Sequence, residues 1–450
     1  METFMIRNLE KTRLTLGFIP LTDCAPLVVA AERGWFRRYG LEVHLSKETS
    51  WANIRDKVAL GVLDGAHMLA PMPLAATLNL GPMAKPMLTA LSLGINGNAI
   101  TVSRELHARM REVAGRVAHD ALAAGRALRR LIEADRNAGR PPLTFAAVFP
   151  FSMHHYQLRH WLAVAGIDPE RDVRFTMIPP ARMVNSLQRG EIDAFCVGEP
   201  WNSVAVRDGT GRVLATGYDI WNNGPEKVFG VTQEWAEQHP NTHLALICAL
   251  LDAARWVDAP ENRPEVVSLI SRSVYVNAPP DTVRMSMNGT FQYSREEFPH
   301  ALPDFNVFFR YAATFPWRSH ALWILAQMVR WKQIETPCNL RRVAESVYRP
   351  DIYRRAALLT RTTVPAADYK NEGVHDAGWT TAGFSGIIAM GSDCLLDGAS
   401  FSPVDPLHGI EAATGYDPAV WKATNPGWNA KELAGIAADL PAAAAGETQP

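Results

Sequence analysis

The stretch Gly224-Pro225-Glu226-Lys227-Val228 places a lone ammonium group after a Pro-Glu turn and before an apolar run. An ammonium is a compact charge with three donors and no acceptor, which suits a small anion. His154 can donate from a ring nitrogen, and near an expected helix start it adds the positive end of the helix dipole. Trp51 offers a flat wall or its indole N–H, and the Asn98 amide offers another donor. Together the four look like a pocket for a small oxyanion. Each also has an ordinary use. Trp51, between Ser50 and Ala52, suits a core; His154 suits a satisfied structural histidine; Lys227 suits a solvated surface; Asn98, between Gly97 and Ala99, suits a turn.

Other chemistries lack their signatures. The chain has no GxGxxG, Walker A, HExxH or GxSxG pattern. His154, His155 and His160 lie close in sequence, but no acidic partner follows them at helical spacing, so no metal is expected. The five cysteines (Cys24, Cys196, Cys248, Cys338, Cys394) are scattered and form no CxxC pair, which argues against a disulfide framework or structural zinc. With 45 basic and 46 acidic residues the net charge is −1, so no global field draws nucleic acid or an anionic membrane. Any anion site must be local.

These residues need a scaffold, and 450 residues with 47% hydrophobic content can build two or three lobes. Thr12–Pro20 alternates like a strand, Asp23 can cap a helix running through Ala31, and Leu41–Leu45 alternates again, which predicts a right-handed βαβ unit with parallel strands. Helices are expected from about Asn53 to Leu63, from Glu105 to about Ala138 (Leu106, Met110, Val113, Val117, Leu128 and Leu131 on one stripe), near His154, and from Ala181 to Gln188. Strands are expected at Ile100–Val102, Phe145–Phe149 and Ile192–Val197. This rhythm predicts an N-terminal arm (1–11), one α/β lobe from 12–102 and 217–359, a second from 103–216, and a two-crossing hinge. Past Leu359 few periodic segments remain, so residues 360–450 read as an extension over the body, its last ten or so disordered. The start, Met1 to Lys11, shows acidic residues and no continuous apolar segment, so a cytoplasmic protein is expected. The apolar patch Leu244–Val257 is broken by Asp252 and Arg255 and reads as a buried helix.

Longer motifs resemble the nitrate- and bicarbonate-binding branch of bacterial solute-binding proteins. They are Leu16-Gly17-Phe18-Ile19-Pro20-Leu21-Thr22-Asp23, Ser50-Trp51-Ala52, Ala70-Pro71-Met72-Pro73, Asn96-Gly97-Asn98-Ala99-Ile100, Gly166-Ile167-Asp168-Pro169, Asp193 through Gly198-Glu199-Pro200-Trp201-Asn202, and Pro225-Glu226-Lys227. Ser319-His320, Trp323 and Arg330-Trp331 also fit. The resemblance spans roughly residues 12 to 405 in family order. It implies a bilobal, type II periplasmic-binding-protein-like α/β fold, a non-enzymatic function and no cofactor.

The same resemblance implies that Trp51, His154 and Lys227 line an anion site, with Asn98 where nitrate binders tend to have glutamine and with backbone groups near Pro180 and Gly198 as further contacts. Nitrate is flat, singly charged and weakly hydrated, with three oxygens that only accept, so a dry site of about one positive charge with several inward donors suits it. Bicarbonate is the competing ligand; its branch is associated with calcium, for which Glu226 and Glu199 are candidate ligands and which a cation at 227 would repel. Without an export signal the chain resembles the cytoplasmic NasS-type nitrate/nitrite sensors, which implies a NasT-like ANTAR-domain antiterminator as partner, held in the ligand-free state. The alternatives are the binding component of an ABC nitrate or bicarbonate transporter and an enzyme of pyrimidine biosynthesis on a related fold.

Overall fold

The computed structural model describes residues 6–83, 85–115, 119–410 and 418–437. Two sheets organise them. The strands are β1 (Arg13–Phe18), β2 (Glu42–Lys47), β3 (Gly65–Leu69), β4 (Met87–Asn96), β5 (Asn98–Ser103), β6 (Thr144–Ala147), β7 (Arg174–Met177), β8 (Ala194–Gly198), β9 (Gly211–Thr216) and β10 (Pro225–Thr232).

The first sheet has the order β4-β10-β3-β1-β2, with the two-residue strand Asn306–Val307 beyond β4. β1 runs parallel to β2 and β3, which is the expected βαβ unit, and the helix Ala25–Glu32 makes the crossover. β10 returns antiparallel between β3 and β4, so Lys227 lies opposite Leu69 and Gly94. Both β4 and β10 are buried along their whole length. The lysine therefore sits in a central strand, not on a turn at the surface.

The second sheet has the order β7-β6-β8-β5-β9, with β6 parallel to β7 and β8, and β5 antiparallel to β8 and β9. Ile100–Val102 thus belongs to the second lobe, and the first crossing falls at Gly97, ahead of the expected boundary at 102. The backbone there demands it. Asn96 and Gly97 both take positive φ (62° and 89°), and a Cβ on Gly97 would lie 2.3 Å from Asn306 Oδ1. The second crossing, residues 217–224, carries the chain from β9 back to β10.

Other elements differ from the pattern read in the sequence. The stripe from Glu105 to Ala138 is two helices, Arg104–Ala114 and Ala121–Asn137: Gly115 (φ 75°) ends the first, and the Asp120 carboxylate accepts from the Ala123 N–H at 2.6 Å to start the second. Val117 lies outside the described residues. Asp23 caps no helix; it lies in a 3-10 turn, Thr22–Cys24, and its carboxylate turns instead to Lys227. Among the described residues, no helix is long and apolar enough to cross a membrane.

The C-terminal extension holds more regular structure than its composition predicts. It contains a hairpin, Trp379–Gly383 with Gly386–Met390, and the helices Pro418–Thr424 and Ala430–Leu433. Residues 441–450, expected to be disordered, lie outside the described residues. The extension is anchored on a buried ion cluster in which Lys370 pairs with Glu372 and, at 2.8 Å, with Asp393. It also lies along the second crossing. Trp221 Nε1 donates to Asp393 at 2.8 Å, the Asn222 N–H donates to the Cys394 carbonyl at 3.0 Å, and the Leu396 N–H donates to the Ile220 carbonyl at 2.9 Å.

Candidate functional site

The ends of strands from both sheets converge on Lys227. Its ammonium lies 2.8 Å from Asp23 Oδ2 and 2.5 Å from Glu226 Oε1, and 5.7 Å from the centre of the Trp51 ring. Asp23 Oδ1 faces His67 Nε2 at 3.0 Å, and Trp51 meets the His67 ring edge-on at 5.3 Å. From the second lobe, Asn98 Nδ2 donates to Glu226 Oε2 at 2.7 Å and His154 Nε2 stands 3.1 Å from Glu226 Oε1. The Thr22 N–H donates to the Glu199 carbonyl at 2.8 Å, tying the lobes together beside the cluster. Lys227, His154, Asn98 and Trp51 are each at most 1% exposed.

Local structure fixes each group. Ser50 caps the helix Trp51–Ala59 by accepting from the Asn53 N–H at 3.2 Å, which sets Trp51 at its first position. Ser152 does the same for Met153–Val164, accepting from His155 N–H at 3.1 Å, and so holds His154 in the first turn. Gly198 ends β8, and a Cβ there would lie 3.5 Å from Asp23 Oδ2 and 3.6 Å from His154 Nε2. The cluster thus closes against its backbone. Pro180 opens the turn Pro180–Arg182, and its carbonyl accepts from the Met183 N–H; among the described residues, no hydrogen bond or ion pair joins it to Lys227.

Burial and charge act against each other throughout. Burial lowers the Lys227 pKa, but Asp23 and Glu226 outweigh it and hold the ammonium charged, above its ordinary value. Burial raises the Asp23 carboxyl, yet Lys227 and His67 bring it well below the carboxylate range. Glu226 ends above its ordinary value, because burial outweighs the pull of Lys227. Burial and then Lys227 press His154 well below its usual value, and burial lowers His67 despite Asp23, so both rings are neutral. Burial carries Glu199 from 4.5 to about 7 against the hydrogen bonds of Ser203 and Asn202.

Several donors and acceptors here are buried with no hydrogen-bond partner among the described residues: Trp51 Nε1, both ring nitrogens of His154, Asn98 Oδ1 and Glu199 Oε1. These atoms keep hydrogen-bonding capacity that a bound group or a water can meet. A cavity of about 720 Å³ lies elsewhere, lined by Arg255, Asp258, Arg263, Arg284 and Arg310. Its arginines are already engaged: Arg263 and Arg310 both meet Asp258 at 2.8 Å, and Arg284 meets Asp281 at 2.6 Å.

Of the residues singled out from sequence, the structure gathers Trp51, Asn98, His154, Lys227 and the backbone at Gly198, and leaves Pro180 apart by its polar contacts. It adds Asp23 and His67, which sequence reading missed, and gives Glu226 a central place. The available signal was a charged or titratable residue inside an otherwise apolar run, as His67 is between Ala66 and Met68.

Comparison with known proteins identifies the family and the fold. Residues 7–271 match the model of the NMT1-like family. The nitrate/nitrite binding protein NrtA of Nostoc sp. PCC 7120 is 32% identical over 409 residues, which cover 89% of this chain and 85% of that protein. The chain belongs to the NMT1-like family. A further family likeness is to the nitrate import ATP-binding protein NrtC of Synechocystis sp. PCC 6803, 40% identical over 410 residues. That match covers 90% of this chain but 56% of NrtC, so the chain spans little more than half the length of such relatives. The crystal structure of the periplasmic nitrate-binding protein NrtA from Synechocystis PCC 6803 superposes with a TM-score of 0.78 at 28% identity, covering 90% of this chain and all of that one. The two-lobed architecture is therefore the periplasmic-binding-protein-like fold.

Proposed function

We propose that this chain binds nitrate or nitrite as the solute-binding component of an anion import system. The observation that carries the reading is a fully buried, charged Lys227 at the seam of two lobes, beside the unpartnered indole N–H of Trp51 and the neutral His154 ring. An ammonium has three donors; two point at Asp23 and Glu226, and one remains. The relatives named NrtA support the choice of ion. Bicarbonate, carried in the name of the relative CmpC, is the comparison ligand.

Calorimetry with nitrate, nitrite and bicarbonate tests this. Micromolar binding of nitrate or nitrite, about −8 kcal/mol, is expected. Lys227→Ala should lose about 1.5–3 kcal/mol of it, and Trp51→Phe, which removes the indole donor and narrows the flat wall, at least about 1 kcal/mol. Nitrate affinity unchanged in both variants sinks the proposal.

A second reading rests on one observation: identity is higher to the matching part of NrtC (40%) than to NrtA (32%). A module of this kind then also serves within chains that bind ATP. On that reading the chain works inside the cell as a NasS-type sensor, and lobe closure on nitrate changes its affinity for a NasT-like ANTAR-domain antiterminator. Tenfold coupling needs about 1.4 kcal/mol of differential affinity. Co-purification should show the partner retained without nitrate and released with it; a complex indifferent to nitrate removes this reading.

A further inference from the structure

The donors expected to hold an external anion already hold an internal one. Lys227 Nζ and Asn98 Nδ2 reach the two oxygens of Glu226 at 2.5 and 2.7 Å, and His154 Nε2 stands 3.1 Å from Oε1, outside hydrogen-bond geometry. Glu226 is 2% exposed. The cluster also carries one ammonium against two carboxylates, Asp23 and Glu226, with both imidazoles neutral. Adding a bare oxyanion would deepen an excess of negative charge in a dry interior.

We propose that the site takes its oxyanion together with one proton, and that Glu226 is the group that accepts the proton. This rests on the anion-binding reading above. Neutralising Glu226 solves both difficulties. It frees Lys227 and His154 from the carboxylate, leaves one ammonium balanced by Asp23, and turns Glu226 into an O–H donor for a ligand that can only accept. The selected ligands are then small monovalent oxyanions, whose charge the proton matches.

The surroundings favour this group over its neighbours. Glu226 faces Lys227 on its own strand, Asn98 on β5, Cys196 on β8, His154 on the helix Met153–Val164, and Asp23 across Lys227. His67 turns to Asp23 instead. Asp23 pairs with both Lys227 and His67 and stays ionised, whereas burial and then Lys227 keep His154 from charging. Glu199 is the rival proton acceptor: it is buried, and its Oε2 accepts from the Ser203 N–H at 3.2 Å.

Calorimetry of nitrate binding in two buffers of different ionisation enthalpy reads proton uptake directly. The expected result is uptake approaching one proton per nitrate at neutral pH and above, with affinity falling up to tenfold per pH unit as pH rises. In Glu226→Gln both the uptake and the pH slope should disappear. Infrared difference spectra on adding nitrate should show a protonated carboxylic carbonyl, absent in Glu226→Gln and present in Glu199→Gln, so that either variant alone attributes the proton. Nitrate binding without proton uptake, binding that requires an added metal cation instead, or uptake that survives Glu226→Gln overturns the inference while leaving the anion site standing. Absence of any nitrate or nitrite binding fails the underlying reading instead.

Discussion

Glu199 and Asp23 show how one interior can push two carboxyls in opposite directions. Asp23 is fixed by a cation on one side and an imidazole on the other, so its charge stabilises the fold. Its folded pKa lies below its unfolded one; that contribution is complete above the ordinary carboxylate range and fades as pH falls through it. Glu199 has backbone support but no cation, so burial lifts it from 4.5 to about 7. The sign reverses: the folded state holds the proton longer, so stability declines as pH rises from about 4.5 to about 7. Glu199→Gln should flatten that decline, and urea unfolding midpoints at pH 5 and pH 7.5 compare the two proteins. A midpoint difference in the variant as large as in the parent would show that another group titrates. Residue by residue, Lys227, Trp51 and His154 were legible because their motifs are long. Asp23 was not, since an acid just ahead of a helix looks the same whether it caps the helix or crosses to a lysine about two hundred residues on.

At the level of elements, the periodic segments gave strands and helices correctly wherever local pattern and tertiary need agreed, as in β1, β2 and the crossover helix between them. They misplaced the lobe boundary, because β4 and β5 are contiguous and only the paired positive φ values at Asn96 and Gly97 mark the turn from one sheet into the other. Glu226 reads as a turn residue after Pro225, yet Pro225 opens a central strand by lying at its first position. The Met153–Val164 helix offers a direct test of how an element serves the site. Ser152 satisfies its N-terminus, and Ser152→Ala should cost about 1 kcal/mol of stability, within a range of about 0.5–2. Nitrate affinity should fall as well, since the same turn holds His154. Chemical denaturation and calorimetry on one preparation measure both; a stability loss with no change in affinity would separate the cap from the site.

At the scale of the whole molecule, two buried clusters among the described residues are each built on one lysine and two acidic side chains. One lies at the seam between the lobes, and the other, Lys370 with Glu372 and Asp393, roots the C-terminal extension. Burial lifts Glu372 to about 8 even against Lys370, so the lysine is what keeps that interior tolerable. Lys370→Met should cost about 3–5 kcal/mol in unfolding free energy at neutral pH, because the ionised Asp393 is left buried without its cation. Composition could not reveal this cluster: Lys370, Glu372 and Asp393 stand among Gly, Asp and Ser in a stretch with little periodicity.

The extension also pairs with residues 220–222 of the second crossing through two backbone hydrogen bonds, and holds Trp221 through Asp393. These contacts splint one of the two crossings between the sheets among the described residues. On the proposed reading, the dwell time of an ion is then set partly by a segment outside the cluster, and loosening these contacts should speed its release.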